Sequence, residues 1–212
     1  ADLFSVTYEA GGEWPSRAAG KGSSLELAEP AAVPTNGPAR AALLAQGATW
    51  RSSSLNHGSP GRLDDYERPV VINEALSHTD LDTDWVELFN RNSTTSVLTG
   101  LYLGDSYANP LRYAFTNGTQ VAPGGYLVRQ AAQLGFGFSE LGSDILLTLA
   151  SGTNVIRFVD TVDVSAMERE ETAGRYTRSD GEVDFTELRA LSKGATNALP
   201  RVGPVVFTEI MY

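Results

Sequence analysis

The sequence predicts an all-β protein, built of short antiparallel strands arranged as a sandwich or a barrel. Short β-branched and apolar runs recur along most of the chain, each of about five to eight residues. Clusters of Gly, Asn, Asp, Pro and Ser separate them. Only one stretch, residues 39–46 (ARAALLAQ), has the Ala/Leu content of a helix, and it reads as a short helix inserted in a loop.

In chain order, the first clear strand is the β-branched run Val70–Leu76 (VVINEAL). Residues 84–90 (DWVELFN) alternate, with Trp85, Glu87 and Phe89 on one side and Val86 and Leu88 on the other. Strands follow at 98–103 (LTGLYL), 113–115, 125–129 (GYLVR), 144–149 (DILLTL) and 155–164. Pro123-Gly124-Gly125 marks a turn just before one of them. Asn117-Gly118 lies between two runs that suit a hairpin.

Composition narrows the function classes. The chain has 212 residues, 42% hydrophobic and 20% charged, as in a globular protein with a sizeable core. No cysteine is present, which excludes disulfides, thiolate metal sites and a cysteine nucleophile. The net charge of −10, with Lys and Arg scattered, argues against nucleic-acid binding. No apolar run approaches the roughly 18 residues of a membrane-spanning helix, and the N-terminal ADLFSVTYEAGG has neither the basic start nor the apolar centre of a signal peptide.

The chain also repeats itself. PVVINEAL (residues 69–76) reappears as PVVFTEIM (residues 204–211), with Val70 and Val205 135 positions apart. Trp50-Arg51-Ser52 lines up with Phe185-Thr186-Glu187 at the same offset, and Gly58 with Gly194 at 136. Shared punctuation at a period this long predicts tandem modules, each with its own core. The phase divides the chain into 1–62, the C-terminal portion of one module; 63–69, a linker; 70–198, a complete module; 199–204, a second linker; and 205–212, the first strand of a following module. Both linkers are short and end in Pro, which makes them stiff.

These phrases resemble a known family. Ile72-Asn73-Glu74, the Trp85-to-Asn90 string, Leu98-x-Gly100-x-x-Leu103 and Pro123-Gly124-Gly125-Tyr126, in this order, are similar to the bacterial lamin tail domain of secreted multidomain proteins. Residues 70–198 resemble a full domain; Ser24-Leu25-Glu26-Leu27 and Gly58-Ser59-Pro60-Gly61 resemble its closing phrases. Late in the middle module MEREETAGRYTR departs from the Ser-Leu-Glu-Leu ending. The resemblance implies immunoglobulin-like antiparallel β-sandwiches in tandem, an extracellular or cell-surface location, and no catalytic activity.

The residues of catalytic type fit a non-enzyme. His57 falls in a Gly/Ser/Pro turn and is replaced by Lys193 in the second copy, as a solvated loop residue would be. His78 has no second ligand at zinc spacing. No organic cofactor is implied, and the one metal the pattern admits is Ca²⁺: Asp80, Asp82 and Asp84 alternate, so an extended chain would place their carboxylates on one side. The competing reading is loop solvation and turn chemistry. Glu74 and Glu87 read as strand carboxylates that hold loop backbone rather than as a glycosidase pair. Most aromatics read as core; Tyr107 and Tyr113, in the polar DSYANPLRY stretch, read as exposed and suited to stacking on a cell-surface glycan.

The function expected is therefore a non-catalytic structural or interaction module of an array, partnered by neighbouring copies or adjacent modules. Val205, Val206, Phe207, Glu209 and Met211 would supply a strand to an open sheet of a neighbour, building a fibre or surface layer. The alternative is a glycan- or protein-binding module appended to a secreted enzyme.

Overall fold

The computed structural model describes residues 5–64, 66–179 and 181–203. Backbone packing divides them into two compact units, residues 5–67 with Ile156–Phe158, and residues 68–155 with 159–203. The interaction residues expected at 205–211 lie outside the described residues.

In the first unit, β1 (Leu25–Leu27) pairs antiparallel with β2 (Trp50–Ser52), placing Glu26 opposite Arg51. Between them runs α1 (Gly37–Leu44), close to the helix read from the sequence. The Asn36 side chain caps it by accepting a 2.9 Å hydrogen bond from the Ala39 N–H, and Pro38 sits in the first turn, where its missing N–H costs nothing. Apolar burial is sparse: Leu44 and Phe158 are the large apolar side chains buried among the described residues of this unit. Polar pairing does much of the holding. Arg17 lies over the Phe158 ring and donates to Ser23 Oγ and the Ser53 carbonyl. Asp64, which the sequence placed in a linker, is instead buried within this unit. Burial opposes its charge, but the Ser54 hydroxyl and N–H and the Arg157 guanidinium outweigh that and hold the carboxyl below its usual range.

The second unit has two principal sheets. One has the order β13 (Val183–Glu187), β12 (Thr172–Thr177), β3 (Val70–Leu76), β4 (Trp85–Asn90), β9 (Tyr126–Gln130). The other runs β11 (Asn154–Ser165), β10 (Gly142–Ser151), β6 (Leu101–Gly104), β7 (Tyr113–Ala114). A small pair, β5 (Ser96–Val97) with β8 (Gln120–Val121), and a one-turn helix, α2 (Ala131–Leu134), complete it. All described pairings given a register are antiparallel. This is the β-sandwich expected, and its apolar layer includes Ile72, Val86, Leu88, Leu103, Ile145 and Leu147, none with measurable exposure.

A buried ion pair ties the layers together. Asp160 of β11 is fully buried, accepts the Ile72 N–H at 2.8 Å and pairs with Arg175 of β12. Arg175 in turn donates to the Ile72 carbonyl at 2.6 Å. A carboxylate buried this deeply needs such donors and a guanidinium.

Two strand expectations are corrected. Asn117-Gly118 does not join a hairpin, because β7 pairs with β6 while β8 pairs with β5. The strand expected from residue 98 begins at Leu101, because the Leu101 N–H returns to the Leu98 carbonyl and Gly100 takes φ +83° in that turn.

Candidate functional site

The outer face of the five-stranded sheet carries the densest polar chemistry of the second unit. Alternation along β4 puts Trp85, Glu87 and Phe89 on that face. Glu87 stands directly opposite Glu74 of β3, and a β-bulge at Asn73 breaks the register just before it. Both glutamates are fully buried, and Asn73 is 7% exposed.

Residues 188–200 cover this row. The Ser192 N–H and hydroxyl donate to the two Glu74 oxygens at 3.0 and 2.7 Å. The Gly194 N–H donates to Glu87, whose other oxygen accepts from Asn73 Nδ2 at 2.9 Å. Asn197 donates to the Asn73 and Arg175 carbonyls, both at 3.0 Å, and accepts from Asn73 Nδ2 at 2.7 Å. Lys193 reaches over the Trp85 ring, 5.1 Å from its centre, toward Asp82 at 3.1 Å. Burial pushes the Glu87 carboxyl above its usual range, with the Glu74 charge adding to the rise. Two opposed carboxylates would suit acid–base chemistry if they were open. Sealed under backbone donors, they act as a clamp for the closing segment.

Beside the clamp the face is open. Val71, Phe89 and Tyr126 form the next row across β3, β4 and β9. The two rings stack with centres 4.9 Å apart at 29° and are half-buried. They floor a groove of about 280 Å³, walled by Asn197 and Thr196 on one side and Thr177 and Val183 on another.

Asp80, Asp82 and Asp84 do not converge. Asp80 pairs with Arg169 at 2.6 Å and Asp82 with Lys193, while Asp84 accepts the Phe138 N–H at 2.8 Å. Asp82 is held below the usual carboxylate range, chiefly by the Thr83 N–H, whereas burial raises Asp84. Among the described residues no group of three His, Asp or Glu side chains is placed to hold a metal ion. His78 binds the Met167 carbonyl and Glu140.

Tyr107 and Tyr113, expected to be exposed, are both half-buried. The Tyr113 hydroxyl accepts from Arg129 at 3.1 Å and its ring packs edge-on against Phe115, which draws it inward. Phe89 and Tyr126, core residues by sequence pattern, are instead half-buried on the outer face. Their adjacency on neighbouring strands, visible only once β4 and β9 are paired, is what makes them a platform.

In the first unit, His57, Ser59 and Asp64 line one hollow of about 390 Å³. The Ser59 hydroxyl donates to Glu26 and the Arg62 carbonyl, and Asp64 accepts from Ser54, so these three residues do not form a nucleophile–base–orienter relay.

Layers, strand pairing and this capped face define an immunoglobulin-like β-sandwich module. Residues 65–165 match the family model described as Lamin Tail Domain, a family of non-catalytic modules of this fold. No curated protein and no solved structure matches the chain. The match ends before β12, β13 and the segment that closes over Glu74 and Glu87.

Proposed function

We propose that this chain is a non-catalytic structural module of an extracellular array. On this reading its neighbours are further lamin-tail-like units, and copies assemble by strand addition into a fibre or surface layer. One observation carries it. Trp50-Arg51-Ser52 and Phe185-Thr186-Glu187, which the repeat aligns, each lie in the second strand of a two-strand antiparallel pairing, β1–β2 in one unit and β12–β13 in the other. Gly58 and Gly194, aligned by the same repeat, both take positive φ, at +85° and +79°. The sparse apolar burial of the first unit agrees with a portion of a module that gains from a partner. The resemblance to bacterial lamin tail domains of secreted proteins supports the location.

The donor strand on this reading is the segment bearing Val205, Val206, Phe207, Glu209 and Met211, whose sequence repeats that of β3. Light scattering tests it: the full chain is expected to form species larger than one chain that shrink when residues 205–212 are removed. Unchanged particle size and unchanged melting would overturn strand addition.

A further inference from the structure

The aromatic groove on the second unit is unexplained by an array role. Its lining contains two charged residues, Arg91 and Arg175, and no carboxylate among the described residues. That is unusual in a chain of net charge −10. Arg175 is committed to Asp160 and the Ile72 carbonyl. Arg91 is exposed, and its guanidinium has no ion pair or side-chain hydrogen bond among the described residues. Thr177 and Thr196, both exposed, bring hydroxyls to the groove walls.

We propose that this groove binds an anionic saccharide, with a sugar ring lying on the half-exposed Phe89–Tyr126 stack and its carboxylate paired with Arg91. A flat aromatic floor presents the electron-rich ring faces that polarised sugar C–H groups favour. Guanidinium is suited to a planar carboxylate by its paired donors. The floor is a sheet face whose main-chain groups are already used in the β3–β4–β9 ladders, so an extended peptide laid on it finds no backbone partners. The volume, about 280 Å³, lies just below the usual range of ligand sites, roughly 300 to 1,000 Å³. That scale suits one or two sugar rings rather than a protein surface. The cap is what leaves the row open: residues 192–197 cover the glutamates and stop short of the aromatics.

This goes beyond the array reading and does not depend on it, because particle size tests one and saccharide binding the other. The experiment is calorimetric titration of the full chain with an oligogalacturonate, with a neutral malto-oligosaccharide of equal length alongside. Saturable binding of the acidic oligomer, at least about tenfold tighter than the neutral one and weakened by salt, is expected. Arg91→Glu is expected to weaken binding at least tenfold with melting unchanged, since Arg91 is exposed, and Arg91→Lys to recover part of it. Tyr126→Ala is expected to abolish binding, and Tyr107→Ala to leave it intact. Equal binding of the neutral oligomer, full binding by Arg91→Glu, or no saturable binding of the acidic oligomer would each overturn the proposal.

Discussion

Asn197→Ala is the sharpest probe of the clamp. Asn197 makes three hydrogen bonds, two as donor to the Asn73 and Arg175 carbonyls and one as acceptor from Asn73 Nδ2. Truncation removes all three and leaves the two carbonyls without that donor, while Asn73 Nδ2 keeps Glu87. At about 0.5–1.5 kcal/mol net per bond, and with Asn197 only half-buried, the loss is about 2–3 kcal/mol. For a domain of this size that lowers the melting temperature by about 6–12 °C. Circular dichroism melting of the full chain measures it, and hydrogen exchange at the β3 and β4 amides locates it in the second unit. Asn197→Asp is expected to be worse at neutral pH, because it loses both donations and adds a carboxylate near Glu87. Thr196→Ala, one residue away and exposed, serves as the control. A shift for Asn197→Ala no larger than the control's would refute the view that this segment holds the sheet.

Gly174→Ala should act on the same clamp from below. An added Cβ would sit 2.7 Å from Leu188 Cδ1 and 2.8 Å from Asn197 Nδ2, for a cost of about 1–3 kcal/mol by overpacking, and the double variant with Asn197→Ala should lose less than the sum in chemical denaturation. Leu147→Ala, in the inter-sheet layer, is expected to cost about 2–5 kcal/mol in the same assay. Individual carboxylates should respond to pH with opposite sign, Glu87 and Asp84 in one direction and Asp64 in the other. Glu87 and Asp84 are raised in the fold, so their contribution is present at low pH and lost as pH rises through their folded pKa values, which lie above the usual carboxylate range. Asp64 is lowered, so its contribution is present above the usual range and lost as pH falls through its folded pKa, which unit-resolved hydrogen exchange across the acid range would show. Calcium addition or chelation should move the melting temperature by less than about 1 °C, since Asp80, Asp82 and Asp84 each have separate protein partners.

Much of the sandwich was legible because period-two alternation and turn residues are local signals. VVINEAL became β3 with the bounds read from sequence, and DWVELFN became β4 but for its first residue. The short strands β5 and β8 carry two residues each, too few for any period to register. Partner choice was equally hidden: nothing near Asn117-Gly118 reveals that its flanking runs go to different sheets. At the site, Glu74 and Glu87 were readable as holders of loop backbone, but not that residues more than a hundred positions away do the holding. Asp80, Asp82 and Asp84 share a side only if the chain there is extended. Residues 77–84 instead form a loop of bends, and the carboxylates point to different neighbours.

The distance along the chain between the glutamates and their cap has a consequence for synthesis. Glu74 and Glu87 leave the ribosome 118 and 107 residues ahead of Ser192 and Gly194. Throughout that interval the nascent sheet presents on this face two hydrated negative charges rather than another apolar row. The carboxylates keep the half-made face wettable and mutually repellent toward other unfinished chains, the role that gatekeeper charges play beside aggregation-prone strands. Only when the closing segment arrives are they withdrawn from water. The groups that complete the finished module thus also protect it while it is incomplete.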